Sequence, residues 1–144
     1  MNLSENFTLA ELTESQAARR KGYKEQFSPP LGVVSNLQEL CEKILQPLRD
    51  KVGPIKINSG YRCERVNKDV GGQPSSQHLT GQAADIEGIN VTNAELFAAI
   101  QSMNLPFDQC IWEFGTKENP AWVHVSCSHR NRRQILYIPK NLKP

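Results

Sequence analysis

Two histidines and one aspartate are the residues of this chain whose types and spacing suggest metal chemistry. His78 and Asp85 lie seven residues apart in the stretch SQHLTGQAAD, and His124 lies in WVHVS. Imidazole nitrogens and carboxylate oxygens are zinc ligands, and a catalytic zinc site uses three protein ligands and keeps one position open. The residues around Gly81 predict a loop followed by a strand, and a loop that folds back brings His78 and Asp85 to one ion. Spacing alone leaves open a second interpretation, in which the histidines serve no common site.

The position of His124 within an apolar strand favours a site on one face of a sheet. Side chains alternate between the two faces of a strand, so Val123 and Val125 point to one side and His124 to the other. We expect the valines to face the core. His124 is then available to a cleft on the opposite face.

Length and composition exclude several classes of protein. The 144 residues are 38% hydrophobic and 22% charged, which is ordinary for one soluble globular domain. A net charge of +2 gives no argument for a nucleic acid or a membrane as partner. No apolar run approaches the roughly 20 residues needed to cross a bilayer. The N-terminus MNLSENFTLAEL has no signal-peptide pattern, so we expect cytoplasmic synthesis, with a monomer as the default state.

Four cysteines raise the alternative of disulfides or of thiol chemistry. Their positions, 41, 63, 110 and 127, form no C-x-x-C pair, which argues against a cysteine zinc site. Without a secretory signal, we expect free, buried, structural thiols. None lies in a recognisable nucleophile motif, so a catalytic Cys–His pair is the weaker alternative.

Periodicity predicts helices first and then mostly strands. Apolar positions at helical spacing run from Leu37 to Leu48, with Ser35 or Asn36 as N-cap, and a capping box at Thr92 opens another amphipathic helix. Strands are predicted at residues 55–58, 83–86, 110–114, 122–126 and 135–138. This order is typical of an α+β domain with a central antiparallel sheet and helices packed on it. We expect one domain with an N-terminal helical segment (1–26), a core (27–139) and a tail (140–144).

Taken together, these segments resemble the zinc D-Ala-D-Ala peptidase family, and in particular its small single-domain branch of cell-wall enzymes. The resemblance covers most of the chain and is carried by FTLAELTESQAARRKG, LQPLRD, NSGYRC, SQHLTGQAAD, FDQCIWEFG and WVHVS. It implies the fold that this family shares with the hedgehog signalling domain.

The resemblance also implies roles for individual residues. His78, Asp85 and His124 match the three zinc ligands. Arg62 matches the arginine of the SGYR motif, which grips a substrate carboxylate or polarises the scissile carbonyl, as a guanidinium fork can. Ser76 matches a residue near the substrate, although a loop hydroxyl bonded to the backbone is an equally simple role for it.

The resemblance does not directly identify the general base in this sequence. Several family members have an acid three residues before the last zinc histidine, and that position is Ala121 here. Two acids lie upstream, Glu118 in the GTKENPA loop and Glu113 in the preceding strand. We favour Glu113, because a strand positions a base better than a flexible turn does.

The implied activity is a zinc metallopeptidase that cuts next to a D-amino acid in a peptidoglycan stem peptide, as a carboxypeptidase or an endopeptidase. The alternative is a zinc-stabilised binding module of the same fold with little turnover, because fold alone does not settle function. A domain without a signal suits a phage lysin or a prophage-derived product. The basic run HRNRR at residues 129–133 lacks aromatic interleaving, so we do not predict nucleic-acid binding; attraction to an anionic cell-wall polymer stays a hypothesis from charge.

Overall fold

A five-stranded sheet forms the centre of the computed structural model, which describes all 144 residues. Its strands are β3 (Ile55–Ser59), β4 (Ala83–Gly88), β5 (Gln109–Glu113), β6 (Trp122–Ser126) and β7 (Gln134–Ile138). All five lie within one or two residues of their predicted positions. Two short strands, β1 (Asn2–Ser4) and β2 (Phe7–Thr8), form a separate hairpin at the N-terminus that the sequence pattern did not predict.

The strand order is β3-β4-β6-β5-β7. Neighbouring strands are antiparallel except for the last pair, because β7 runs parallel to β5. The predicted α+β class, a largely antiparallel sheet with helices packed on it, is confirmed. The parallel edge strand is the one departure from the expected antiparallel pattern.

Six α-helices accompany the sheet. They are α1 (Leu9–Thr13), α2 (Gln16–Lys21), α3 (Leu31–Leu40), α4 (Gln46–Val52), α5 (Glu64–Asp69) and α6 (Asn93–Ser102). A π-helical turn over Cys41–Leu45 joins α3 to α4, just before Pro47, whose ring nitrogen has no hydrogen to donate within the helix. None of the helices combines the length and the apolar character that a bilayer span needs.

The helices cover one face of the sheet, and the polar residues of interest lie on the other. Alternate strand residues, including Ala84, Ile86, Val123 and Val125, are fully buried in one cluster of 26 residues. On this face Phe97 of α6 meets Trp112 edge to face, with ring centroids 5.4 Å apart. The predicted orientation of the two valines is therefore confirmed, and the opposite face is left to line a cleft.

Candidate active site

Strand register brings Asp85 and His124 together. The two residues are direct cross-strand partners on β4 and β6, and their side chains point to the same open face of the sheet. Oδ1 of Asp85 lies 3.1 Å from Nδ1 of His124. Both residues are buried, with 6% and 8% of their surface exposed. Their proximity follows from the pairing of the strands alone.

His78 reaches the same point from a short 3-10 helix, Gln77–Thr80, that precedes β4. Gly81 ends this turn at φ 75°, a left-handed conformation that glycine adopts without strain, and the chain then folds back into the strand. Nε2 of His78 lies 3.3 Å from Oδ1 of Asp85. The predicted fold-back of the loop brings His78 and Asp85 to one place.

The tautomer of His78 is determined by its second contact. Nδ1 lies 2.7 Å from the carbonyl oxygen of Gly60, which can only accept a hydrogen bond. Nδ1 therefore carries the proton and donates it, and the lone pair of neutral imidazole lies on Nε2, toward Asp85. A histidine held in this way by a backbone carbonyl is the usual arrangement of a metal ligand.

These three residues form a donor set that fits zinc. One ligand atom from each lies within 4.8 Å of the other two. Tetrahedral zinc with ligand distances near 2.1 Å separates neighbouring ligand atoms by about 3.4 Å. The observed separations of 3.1 and 3.3 Å from Asp85 to the two histidines are close to that value. Two imidazoles and one carboxylate also leave the fourth position open.

Arg62 holds the carboxylate of Asp85 from behind. Its Nη2 donates to Oδ2 of Asp85 at 3.1 Å, and its Nε donates to Oγ of Ser59 at 3.0 Å. A longer contact of 3.4 Å reaches the side chain of Asn67. Oδ1 of Asp85 is thus left for the histidines. The guanidinium also lines the cleft, with 16% of its side chain exposed.

Glu113 lies beside the three candidate ligands. It sits two residues beyond Ile111, the direct partner of His124 on β5, so the glutamate is diagonal to the histidine on the same face. Oε1 of Glu113 lies 3.7 Å from Nδ1 of His124. Burial, and next the negative charge of Asp85, raise the pKa of Glu113 above its ordinary value. Glu118, the other candidate base, is exposed in the turn between β5 and β6 and does not line the cleft.

Ser76 lies at the rim of the cleft and caps the 3-10 helix that carries His78. Its Oγ accepts a hydrogen bond from the backbone N–H of His78 at 3.2 Å. The hydroxyl hydrogen stays free to donate into the cleft. The backbone contact accounts for the residue locally, and its part in substrate binding stays a prediction.

The cleft around these residues has a volume of about 830 Å³, within the range of ligand sites. Besides the predicted site residues, the wall includes Phe114 and Trp122, which sequence analysis did not assign to a site, and Arg130 and Arg132 from the basic run. For Trp122 the signal was present, since it alternates with His124 along the strand. None of the four cysteines lines the cleft; all are free and buried, as predicted.

An ion pair between exposed Arg132 and buried Asp108 fixes the wall of the cleft beside the start of β5. Arg132 donates from Nε and Nη2 to the two carboxylate oxygens of Asp108, each at 2.9 Å, and its backbone N–H donates to the same group. Asp108 is fully buried, and these bonds hold its pKa well below the usual range of an aspartate. The basic run at residues 129–133 is therefore partly anchored in the protein.

Fold and site together define a small α+β domain with a candidate two-histidine, one-aspartate metal centre on the open face of its sheet. Comparison with known families agrees with this class. The family described as Peptidase M15 matches residues 5–126, and the chain belongs to that family. The matched range contains the three candidate ligands, Arg62 and Glu113, and it ends before the basic turn and β7.

A zinc D-Ala-D-Ala carboxypeptidase from Streptomyces albus G is 31% identical to this chain over 83 residues. The aligned stretch is 56% of this chain and 31% of that protein. The chain thus spans about a third of the length of the relative it matches.

Proposed function

We propose that this chain is a zinc metallopeptidase that hydrolyses peptide bonds next to D-amino acids in peptidoglycan stem peptides. The name of the relative and the family membership support the substrate class. The observation that carries the proposal is the position of Glu113, whose carboxylate lies 3.7 Å from Nδ1 of His124. A metal site that serves structure alone needs no free carboxylate at its edge.

His78, Asp85 and His124 would hold the ion in this proposal. Bound zinc supplies Lewis acidity, which polarises a carbonyl and makes water more acidic at neutral pH. Glu113 accepts the proton of the attacking water and passes it to the leaving amine. Arg62 keeps Asp85 oriented and offers its remaining N–H groups to the substrate.

The bond cleaved is tested by mass spectrometry of muropeptides after digestion, with and without a chelator. Loss of one terminal D-alanine identifies a carboxypeptidase, and breakage of crosslinks identifies an endopeptidase. Neither the loss of D-alanine nor the breakage of crosslinks is expected when the chelator is present. Intact muropeptides after incubation with zinc-loaded protein contradict the peptidase proposal and favour the zinc-stabilised binding module.

Paired variants test the base. Glu113→Gln should keep stoichiometric zinc and lose turnover by 100-fold or more, in the range of about 10²–10⁴ for a general base. Glu118→Gln is the matched control and should keep both. An active Glu113→Gln protein together with an inactive Glu118→Gln protein would move the role to Glu118.

A further inference from the structure

Phe114 occupies a strained backbone conformation beside the candidate base. Its φ is 58°, a left-handed value that is unusual and strained for a bulky residue. The next residue, Gly115, is also left-handed at φ 73°. The backbone N–H of Phe114 donates to the carbonyl of Ile138 at 2.7 Å, which ties this irregular end of β5 to β7.

The left-handed backbone places two successive side chains on one cleft. In a regular strand, residue 114 would point away from the face that carries Glu113. Here the Phe114 ring lines the same cleft as Glu113 and meets Trp122 with ring centroids 5.3 Å apart. Phe114 nevertheless stays 46% exposed. A large aromatic ring that stays in solvent contributes little to the core, so core packing does not explain the backbone strain. Contact with a ligand would explain it.

The other end of the cleft is basic. Arg130 lines the cleft from the turn after β6. It lies two residues before Arg132, which binds Asp108 just ahead of β5. The guanidinium groups of Arg62 and Arg132 are engaged by Asp85 and Asp108. The side chain of Arg130 makes no ion pair or hydrogen bond and is exposed. It is the free cationic group of the cleft wall.

The two ends are separated by the length of β5. Gln109 lies at the basic end and Glu113 at the aromatic end, four residues apart, which corresponds to about 13 Å along a strand. An extended peptide of about four residues covers that distance. The candidate metal centre and Glu113 lie within the same cleft.

We propose that the cleft recognises an extended acidic peptide by both ends at once. An uncharged apolar residue next to the scissile bond packs on Phe114 and Trp122, and a carboxylate about three or four residues away pairs with Arg130. This inference rests on the proposed peptidase function and adds the length of the bound peptide and the distance of its acidic group from the scissile bond. A bidentate guanidinium–carboxylate pair suits Arg130, and two aromatic faces suit a small apolar side chain.

The test compares variants on matched synthetic peptides that contain a D-alanyl residue at the scissile bond. In one peptide the carboxylate three or four residues from the scissile bond is free, and in the other only that carboxylate is amidated. Arg130→Gln should raise KM about tenfold for the free peptide and leave the amidated peptide unchanged. Arg20→Gln, which changes an exposed, unpaired arginine outside the cleft, is the control and should affect neither peptide. An equal effect of Arg130→Gln on both peptides overturns the proposal.

Phe114→Gly tests the aromatic end, because glycine accepts the left-handed conformation. Urea unfolding should show no loss of stability, while KM for both peptides rises about tenfold. A less stable Phe114→Gly protein with an unchanged KM means that the ring serves the fold, and this overturns the proposal.

Calorimetric titration of the same peptides into the zinc-loaded protein separates the two proposals. If the protein cleaves neither peptide yet binds the free one about tenfold more tightly than the amidated one, and loses this preference in Arg130→Gln, the recognition stands and the peptidase function fails. If cleavage occurs without any preference, the peptidase function stands and the recognition fails. Absence of both cleavage and binding overturns the recognition as well.

Discussion

The carbonyl oxygen of Gly60 accepts a hydrogen bond of 2.7 Å from Nδ1 of His78, and this contact links the N-terminal helices to the candidate metal centre. Gly60 directly follows β3 and lies against Leu12 of α1. The next residue, Tyr61, donates its backbone N–H to the carbonyl of Leu12 at 2.8 Å. The position of α1 therefore determines where the His78 ring points. Helix α1 contributes no candidate metal ligand, yet it helps to orient His78.

Gly60→Ala should weaken the metal centre from outside it. A Cβ at this position would lie 2.3 Å from the carbonyl oxygen of Leu12, so the backbone must shift. We expect a loss of about 1–3 kcal/mol in unfolding free energy, as for overpacking, measured by urea denaturation. Zinc affinity, measured by competition with a chelating dye, should fall about tenfold or more. Gly32→Ala is the control, because a Cβ there meets nothing within 4 Å. Equal zinc affinities in the two variants would contradict this link.

Arg62→Lys distinguishes support of Asp85 from direct contact with substrate. A lysine is a single point donor and cannot reproduce the fork that binds Ser59 and Asp85 together. We expect zinc affinity to fall about 10- to 100-fold, as for other residues that orient a ligand. Arg65→Lys, at an exposed pair with Glu25, is the matched control. Unchanged zinc affinity with a raised KM would leave Arg62 a role toward the substrate only.

The strands and the hairpin of β5 with β6 were predictable because their patterns are local, whereas the order of the other strands in the sheet was not. Alternation predicted the orientation of Val123 and Val125, and it identified β6 as the strand that carries a candidate ligand. That β7 runs parallel to β5 depends on how the chain returns after the turn at 128–133, which no local pattern encodes. The N-terminal hairpin escaped prediction because strands of two and three residues are too short to show a period.

The N-cap of α3 was predicted at the wrong position. Ser35 and Asn36 are good N-cap residues, yet the helix begins at Leu31, with Pro30 as N-cap. The predicted cap was wrong because Pro30 already supplies a favourable entry: its ring fixes φ near the helical value, and it has no N–H to leave unsatisfied.

The sequence favoured Glu113 over Glu118 because Glu113 lies on a predicted strand, but it did not show that this side chain reaches the site. Proximity of Glu113 to His124 follows from the register of β5 against β6, since Ile111 lies opposite the histidine and the glutamate is diagonal to it. A shift of one residue would have turned Glu113 to the other face. The sequence predicted the strand, and only the register brings that carboxylate to the site.

Arg132→Met should lower stability in a pH-dependent way. The bonds from Arg132 favour the ionised form of Asp108 and depress its pKa in the folded protein. Such a group stabilises the fold above its unfolded pKa, near 3.9, and the stabilisation is lost as pH falls toward the folded value. At pH 7 the variant should therefore unfold at a lower urea concentration than the parent protein. The difference between the two urea midpoints should become smaller below about pH 4. Arg19→Met, at an exposed pair with Glu14, should show a several-fold smaller gap. A gap independent of pH would mean that the arginine acts by packing.

The four cysteines should be inert in the native protein, which also separates metal from thiol chemistry. Burial raises the pKa of Cys41 to about 12 and raises the pKa of Cys110 and Cys127 as well. Because the thiolate is the reactive form, native thiols should react with a disulfide reagent at pH 8 on the order of 100-fold more slowly than in denaturant, where four react. Activity should survive iodoacetamide and be lost with a chelator. Inactivation by iodoacetamide before unfolding would support the cysteine alternative instead, and the absence of any cysteine from the cleft wall argues for the first outcome.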